Sequence, residues 1–185
     1  MSSKPATGSG ARDVWVNDVE PTILQVFAGG EPISLETRIA VYTAVYNCMT
    51  KSNASSADFY VQIQSFFTEY TTRIATAAPA DDSTLPEYYD AEWARFSPGV
   101  KFVNRLLDFT NRHYVKRVRD EGHLDILTVR NLAFKSWKNH VFEALLLRLE
   151  NSNTVEKARL ERIRTLFEAP ELNQESLGNM HLSAC

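Results

Sequence analysis

Apolar residues recur every three or four positions along most of this 185-residue chain, which is the spacing that places them on one face of an α-helix. Strand-like alternation over four or more residues is hard to find, and glycine and proline number only seven each. So few helix breakers leave room for long helices. The sequence therefore predicts an all-α protein, built as a bundle or as a stack of helices.

The apolar pattern and its breaks divide the chain into six or seven predicted helices. The first spans about residues 13–28 with Pro21 inside it, and the second opens at Ser34, a good N-cap. The ranges predicted for the others are about 57–77, 86–96, 98–122, 125–149 and, for a charged seventh helix, 154–167. Residues 1–12 lack the apolar core of a secretory signal and are interpreted as a disordered leader, and the last fifteen residues also look disordered.

The second predicted helix carries more apolar surface than one packing stripe needs. Its main stripe, at spacings of four, three, four and three, consists of Leu35, Ile39, Tyr42, Tyr46 and Met49, and it is widened by Val41 and Val45. Tyrosine suits the core edge and also an interface, because its ring is apolar and its hydroxyl is polar. Periodicity alone leaves both interpretations of Tyr42 and Tyr46 open.

The fifth predicted helix starts at Ser97–Pro98 and carries basic residues at spacings of seven, four and three. These residues are Arg105, Arg112, Lys116 and Arg119. Asp108 and Asp120 neutralise part of this charge, so the stripe is interpreted either as a solvated surface or as a patch for an acidic protein partner. Nucleic acid is disfavoured, since the chain has a net charge of −3 and the stripe lacks interleaved aromatic residues.

The sequence contains no pattern typical of catalysis or of metal or cofactor binding. No two of the four histidines are three or four positions apart, and neither a glycine-rich phosphate loop nor a nucleophile elbow occurs. No apolar run reaches the roughly 18–20 residues that cross a bilayer. Cys48, one of two cysteines, is interpreted as a buried residue in a protein of a reducing compartment. The expectation is a protein that is not an enzyme and needs no metal, cofactor or membrane.

Three ordered stretches resemble motifs of the cullin family. VYTAVYNCMTK at 41–51 resembles the second-helix pattern L-Y-T-x-V-Y-N-x-C-T, and TNRHYVKRVRDEG at 110–122 resembles the fifth-helix pattern L-N-R-H-W-V-R-R-x-x-D-E-G. LAFKSWKNHVF at 132–142 is similar to the stretch L-A-L-x-T-W-R-D-x-L-F. Their order and separation also fit, over roughly residues 13–145. The most similar subtype is the cullin of Skp–cullin–F-box ligases.

The resemblance implies a stack of five-helix cullin repeats. Residues 13–150 would hold the first repeat and part of a second, and residues 151–185 a diverged helix and a disordered tail. It also implies a non-catalytic scaffold of a ubiquitin ligase, cytoplasmic and nuclear, that links substrate receptors to ubiquitin-dependent degradation. The expected partner is a Skp-type adaptor with an F-box protein, or alternatively another adaptor with a BTB fold. The RING subunit is not expected to bind, because 185 residues leave no room for the C-terminal part that holds it and carries the neddylated lysine.

Cullins bind their adaptor with the second and fifth helices of the first repeat. The positions that correspond in this chain are Arg38, Ile39, Tyr42, Tyr46, Phe109 and Arg112. The resemblance implies that Tyr42 is the central anchor and that Arg112 pairs with an adaptor carboxylate or carbonyl. Arg38 stands where an aromatic residue is usual, and Phe109 where a tyrosine is. Two alternative functions are a cullin-like competitor that inhibits ligase assembly and a helical module for another protein partner.

Overall fold

The chain folds into helices joined by short turns, as shown by a computed structural model that describes residues 10–29, 32–152, 155, 157–169 and 180–182. These residues include no β-strand, so the all-α prediction is confirmed. The α-helices are α1 (Ala11–Val14), α2 (Glu20–Phe27), α3 (Leu35–Met49), α4 (Asn53–Thr76), α5 (Leu85–Leu106), α6 (Asp108–Thr110), α7 (Lys116–Asp120), α8 (Val129–Trp137), α9 (Glu143–Asn151) and α10 (Lys157–Phe167). Three π-helical segments lie between them, at Trp15–Val19, Asn111–Val115 and Lys138–Phe142.

The helices belong to two compact units. The first unit consists of Met1–Ile63 and Arg105–Ile126, and the second of Gln64–Asn104 and Leu127–Cys185. Helices α4 and α5 therefore each contribute residues to both units. The division of the sequence near residue 150 that the motifs imply stays a prediction.

The first helical run begins at Ala11 and passes Pro21 without a break. Proline lacks an N–H group and its ring crowds the carbonyl four residues earlier, so it is usually found in the first turn of a helix. Here Pro21 lies in the first turn of α2, directly after the π-helical segment. The buried face consists of Trp15, Val19, Ile23 and Phe27. Val16 and Leu24, which share the predicted apolar pattern, are exposed. The prediction of a disordered leader is wrong for Ala11 and Arg12, which are helical, and residues 1–9 lie outside the described residues.

Helix α3 begins where the sequence predicts it, because the Ser34 hydroxyl accepts a hydrogen bond from the Thr37 N–H at 3.1 Å. The buried residues of this helix are Val41, Val45, Cys48 and Met49. Burial raises the pKa of the Cys48 thiol, and the interpretation of Cys48 as a buried residue is confirmed. The main predicted stripe faces outward instead, with Met49 as its only buried member.

Helix α5 is continuous, so the predicted break at Ser97–Pro98 is wrong. Trp93, Phe96 and Val100 are buried on both sides of the exposed Pro98. Burying each of these side chains stabilises the fold by about 1.5–3 kcal/mol. Together they outweigh the cost of about 3 kcal/mol for a proline inside a helix.

The next helical run spans residues 108–120 and is separated from α5 at Leu107. Leu107 leaves the helical range with a φ of −99° and a ψ of 21°. Arg105 therefore lies on a different helix from the other members of the predicted basic stripe. The run ends near Gly122, as predicted, and Gly122 has a φ of 101°, which favours glycine.

Helix α8 begins at Val129 rather than at about residue 125, because Thr128 caps it. The Thr128 hydroxyl accepts a hydrogen bond from the Asn131 N–H at 3.3 Å. From there the helical run continues through α9 to Asn151. Its predicted buried residues are confirmed, namely Leu132, Ala133, Trp137, Val141, Leu145 and Leu149. Ile126 lies before the helix.

The end of the chain is packed where it is described. Helix α10 lies within the predicted seventh helix. Met180 and Leu182 are buried, and the Leu182 N–H donates a hydrogen bond to the Asp90 carboxylate. The prediction of disorder is wrong for residues 180–182, and the rest of the last fifteen residues lies outside the described residues.

Arg148 fixes the loop between α4 and α5. Its guanidinium forms an ion pair with Asp82 at 2.7 Å and donates to the carbonyls of Pro79 and Ala80. We expect Arg148→Met to lower the free energy of unfolding by about 1–3 kcal/mol, because charged hydrogen bonds in a part-buried site are lost. Urea unfolding measures this change.

The matched control is Arg95→Met, since Arg95 pairs with Glu92 at 2.6 Å but is half exposed. An exposed pair of this kind contributes about 0–1 kcal/mol. Equal losses of stability in the two variants would contradict the role assigned to Arg148.

Candidate functional site

One face of α3 is apolar and exposed. Its residues are Leu35, Ile39, Tyr42 and Tyr46, with exposures of 71%, 57%, 40% and 45%. Because they follow one another at spacings of four, three and four, they lie on one side of the helix. We call these four residues the α3 row. Single exposed apolar residues are common on protein surfaces, whereas larger contiguous apolar patches are typical of interaction sites.

Phe109 of α6 joins the α3 row. The centroid of its ring lies 5.0 Å from that of Tyr46 and 6.2 Å from that of Tyr42, and the Tyr42 contact is edge-to-face with an interplanar angle of 77°. Aromatic pairs are favourable at centroid distances of about 4.5–7 Å. Tyr42, Tyr46 and Phe109 therefore form one aromatic cluster, although Phe109 is distant from the tyrosines in the sequence.

Contacts with neighbouring side chains fix the aromatic cluster. The His113 imidazole stacks on the Phe109 ring at 5.0 Å with an interplanar angle of 17°. The Thr110 hydroxyl lies 3.3 Å from the Met49 sulfur, and both side chains are buried. The Thr110–Met49 contact connects α6 to α3, and the stacked His113 ring supports Phe109, so the aromatic cluster is held in place.

Two arginines complete the set of predicted contact residues. The Arg38 Nε donates a hydrogen bond to the Ile33 carbonyl at 3.1 Å. The Arg112 Nε lies 2.7 Å from the Asp108 carboxylate, and both side chains of this pair are exposed. An exposed ion pair contributes little to stability, about 0–1 kcal/mol, but it restricts the orientation of the guanidinium.

Two further cations of the predicted basic stripe have partners on the chain itself. Lys116 lies 4.0 Å from Asp120. Arg119 donates hydrogen bonds to the carbonyls of Leu124 and Ile126. The predicted partial neutralisation is confirmed by the ion pairs of Arg112 with Asp108 and of Lys116 with Asp120, and the choice between a solvated surface and a patch for an acidic partner stays a prediction.

The six predicted contact residues all belong to the first unit. The structure brings Tyr42, Tyr46 and Phe109 into contact and places Ile39 in the same row, whereas Arg38 and Arg112 are exposed side chains bonded within their own segments. Sequence reasoning did not select Leu35 or His113 as site residues. Signals for both existed, because Leu35 is one turn before Ile39 and His113 is one turn after Phe109.

The composition of this surface fits binding. Aromatic residues and arginine contribute most of the binding free energy in typical protein interfaces. Among the described residues, no group of three or more histidine, cysteine, aspartate or glutamate side chains is placed to hold a metal ion. No helix in the described ranges has the length and apolar character needed to span a membrane.

Comparison with known families decides the identity. Residues 16–177 match the model of the cullin alpha solenoid domain, which covers more than half of the chain. The chain belongs to the cullin family. The all-α cullin fold implied by the three motifs is thereby confirmed, and the match continues past residue 145, where the motif resemblance ends.

Curated relatives of the family are similar to more than half of this chain. Cullin-1 of Dictyostelium discoideum is 27% identical over 133 residues, which are 62% of this chain and 17% of that protein. Cell division control protein 53 of Saccharomyces cerevisiae is 28% identical over 120 residues, 56% of this chain and 14% of that protein. Cullin-1 of Caenorhabditis elegans is 30% identical over 122 residues, which are 63% of this chain and 15% of that protein. The chain thus spans less than a fifth of the length of these relatives.

Proposed function

We propose that this cullin is a non-catalytic scaffold segment of a ubiquitin ligase and that the aromatic cluster is its docking site for an adaptor protein. The observation that carries the proposal is the meeting of two exposed tyrosines of α3 with Phe109 of α6. The bound adaptor would connect a substrate receptor to ubiquitin-dependent degradation, in the cytoplasm and nucleus.

Each residue of the α3 row has a role in this proposal. Tyr42 is the central anchor, because it lies in the middle of the row and its ring already packs edge-to-face on Phe109. Ile39 and Leu35 extend the apolar strip toward the start of α3. Covering this strip removes apolar surface from water, which contributes roughly 25 cal/mol per Å². Since the rings are already held by neighbours, little ordering is needed on binding.

Arg112 is the polar contact of the docking site. Its ion pair with Asp108 involves Nε, which carries only one of the five N–H donors of a guanidinium. The terminal nitrogens can therefore donate to a carboxylate or carbonyl of the adaptor while Asp108 keeps the group in place. Arg38 adds a second positive charge at the row, so we expect the adaptor to present an acidic side chain opposite it.

The proposed adaptor is of the Skp type and carries an F-box protein. The three motifs resemble the cullin of Skp–cullin–F-box ligases, and similarity to proteins named Cullin-1 supports the same subtype. An adaptor with another BTB fold is the alternative.

The choice between adaptors can be made by calorimetry. The purified chain is titrated with a panel of Skp-type and BTB-fold adaptors, each with and without its substrate receptor. We expect one Skp-type adaptor to bind most tightly and to be displaced by a full-length Cullin-1, because both would use the same surface. A folded chain that binds no member of the panel would overturn the proposal.

Arg112→Ala is expected to weaken adaptor binding about fivefold, with most of the loss disappearing at high salt, since the contact lies at an exposed rim. Calorimetry at about 50 and about 500 mM NaCl measures both effects, because added salt screens exposed charges. Arg119→Ala is the matched control, as Arg119 is bonded to carbonyls of its own loop. A loss in the control equal to that in Arg112→Ala would assign the effect to overall charge.

A further inference from the structure

A cavity of about 280 Å³ opens on the second unit, lined by α8, the Lys138–Phe142 segment and the end of α10. Its lining includes Phe134 and Phe167 together with four polar side chains, Asn131, Lys135, Lys138 and Asn139. None of the described residues that line it is acidic. The cavity shares no residue with the aromatic cluster, which belongs to the first unit.

The apolar floor of the cavity is tied to the core of the second unit. The Phe134 ring is buried and its centroid lies 5.7 Å from that of Trp93. The Phe167 ring lies 5.5 Å from Phe142 and 6.2 Å from Trp93. A floor held by several ring contacts keeps its shape without a ligand, as preformed binding sites do.

The polar rim has no partners within the described part of the chain. The side chains of Lys135, Lys138, Asn131 and Asn139 form no hydrogen bond or ion pair there. Two arginines of this unit differ, because Arg148 pairs with Asp82 and Arg164 with Glu143. The two lysines are three positions apart on a helical run, so they lie on the same side of it.

We propose that this cavity docks an acidic peptide segment of another protein. One apolar side chain of the peptide enters the cavity, and carboxylates on either side of it pair with Lys135 and Lys138. The amides of Asn131 and Asn139 can both donate to and accept from a peptide main chain. The proposal concerns a second binding surface and does not depend on the adaptor-docking function.

Charge favours this ligand over others. A volume of about 280 Å³ is close to the lower end of the roughly 300–1,000 Å³ typical of ligand sites, so the cavity has room for one apolar side chain of a peptide. Uncompensated lysines attract acidic partners and repel basic ones. A flat anionic membrane would meet the rim but leave the apolar cavity unfilled.

Fluorescence anisotropy with defined peptides tests the proposal on the full chain. The probe is a labelled ten-residue peptide of aspartate and glutamate with one central leucine. Two reference peptides have serine in place of the leucine, or lysine in place of every acid. We expect the leucine peptide to bind about tenfold or more tightly than the serine peptide, because burial of one leucine side chain is lost, and the lysine peptide not to bind.

Charge reversal locates the site. Lys135→Glu with Lys138→Glu is expected to weaken binding of the leucine peptide about tenfold or more. The matched control is Lys101→Glu with Lys157→Glu, two exposed lysines of the same unit whose reversal changes the net charge equally. The glutamine versions, Lys135→Gln with Lys138→Gln, retain much of each side chain and should weaken binding less. If circular dichroism shows that the glutamate variants are unfolded, the glutamine variants still test the site.

Three results would overturn the proposal. They are equal affinity for the leucine and serine peptides, equal losses in the two reversed double variants, and binding to phosphatidylserine vesicles in preference to the peptide. Failure here and failure of the adaptor site are distinguishable. Tyr42→Ala should leave peptide affinity unchanged, and reversal of Lys135 and Lys138 should leave adaptor affinity unchanged.

Discussion

Tyr42→Ala is expected to weaken adaptor binding by about 2 kcal/mol or more, which is roughly thirtyfold. The Tyr42 ring is 40% exposed in the free chain and rests edge-to-face on Phe109, so a partner can cover it without rearranging α3. Truncation removes the central side chain of the α3 row and leaves Phe109 without one of its two tyrosine neighbours. Calorimetry with the Skp-type adaptor measures the loss.

Two further variants separate the causes of that loss. Tyr42→Phe keeps the ring and should retain most of the affinity if the ring is the anchor. Val61→Ala is the control for apolar surface, because Val61 is 50% exposed on α4 of the same unit but outside the aromatic cluster. Wild-type affinity in Tyr42→Ala, or an equal loss in Val61→Ala, would refute the docking site. The free energy of unfolding of Tyr42→Ala, measured in urea, should differ from that of the wild type by less than about 1 kcal/mol, as expected for an exposed side chain.

The orientation of α3 could not be predicted from its own sequence. Periodicity identifies residues that share a face, but α3 is apolar on two faces, and nothing local decides which face is buried. The structure buries Val41 and Val45, which were predicted only to widen the stripe, and exposes Tyr42 and Tyr46. The family resemblance predicted the exposed face of α3 correctly, because it implied that Tyr42 and Tyr46 share one surface with Phe109.

The boundaries of α5 show a second limit of sequence-based prediction, in which tertiary packing overrides a strong local helix-start pattern. Ser97–Pro98 is typical of a helix start, yet burial of Trp93 and Val100 around it keeps the helix intact. The real break is at Leu107, where no glycine or proline signals it. Leu107 is fully buried, so the break depends on contacts that only the folded chain makes.

The cavity lined by Lys135 and Lys138 could not be predicted from the sequence for a similar reason. Helical spacing places Lys135 and Lys138 on one side of α8 and the segment after it, but it gives no reason to single them out from other surface lysines. The cavity also needs Phe167, which α10 brings from a distant part of the chain. The proposed peptide site therefore depends on the juxtaposition of two helical runs, which their separate sequences do not reveal.

Trp137→Ala is expected to lower the free energy of unfolding by about 3–5 kcal/mol. The indole is fully buried, with ring centroids 5.1 Å from Trp93 and 4.7 Å from Phe96. Its N–H donates to the Tyr89 hydroxyl oxygen at 3.2 Å. Burial raises the pKa of Tyr89, so this hydroxyl stays protonated over the usual pH range. Alanine would leave a large cavity and also remove the indole N–H that donates to Tyr89. Urea unfolding measures the total loss of stability from both effects.

Companion variants divide this loss between packing and hydrogen bonding. Tyr89→Phe removes only the acceptor and leaves the indole N–H buried without that partner, which should cost about 1–3 kcal/mol. Leu147→Ala is the control, because Leu147 is 74% exposed on α9 of the same unit and its loss should cost less than about 0.5 kcal/mol. If Trp137→Ala were no less stable than Leu147→Ala, the aromatic core could not be what stabilises the second unit. The rigidity assigned to the floor of the cavity would then lose its basis, since Trp93 contacts both Trp137 and Phe134.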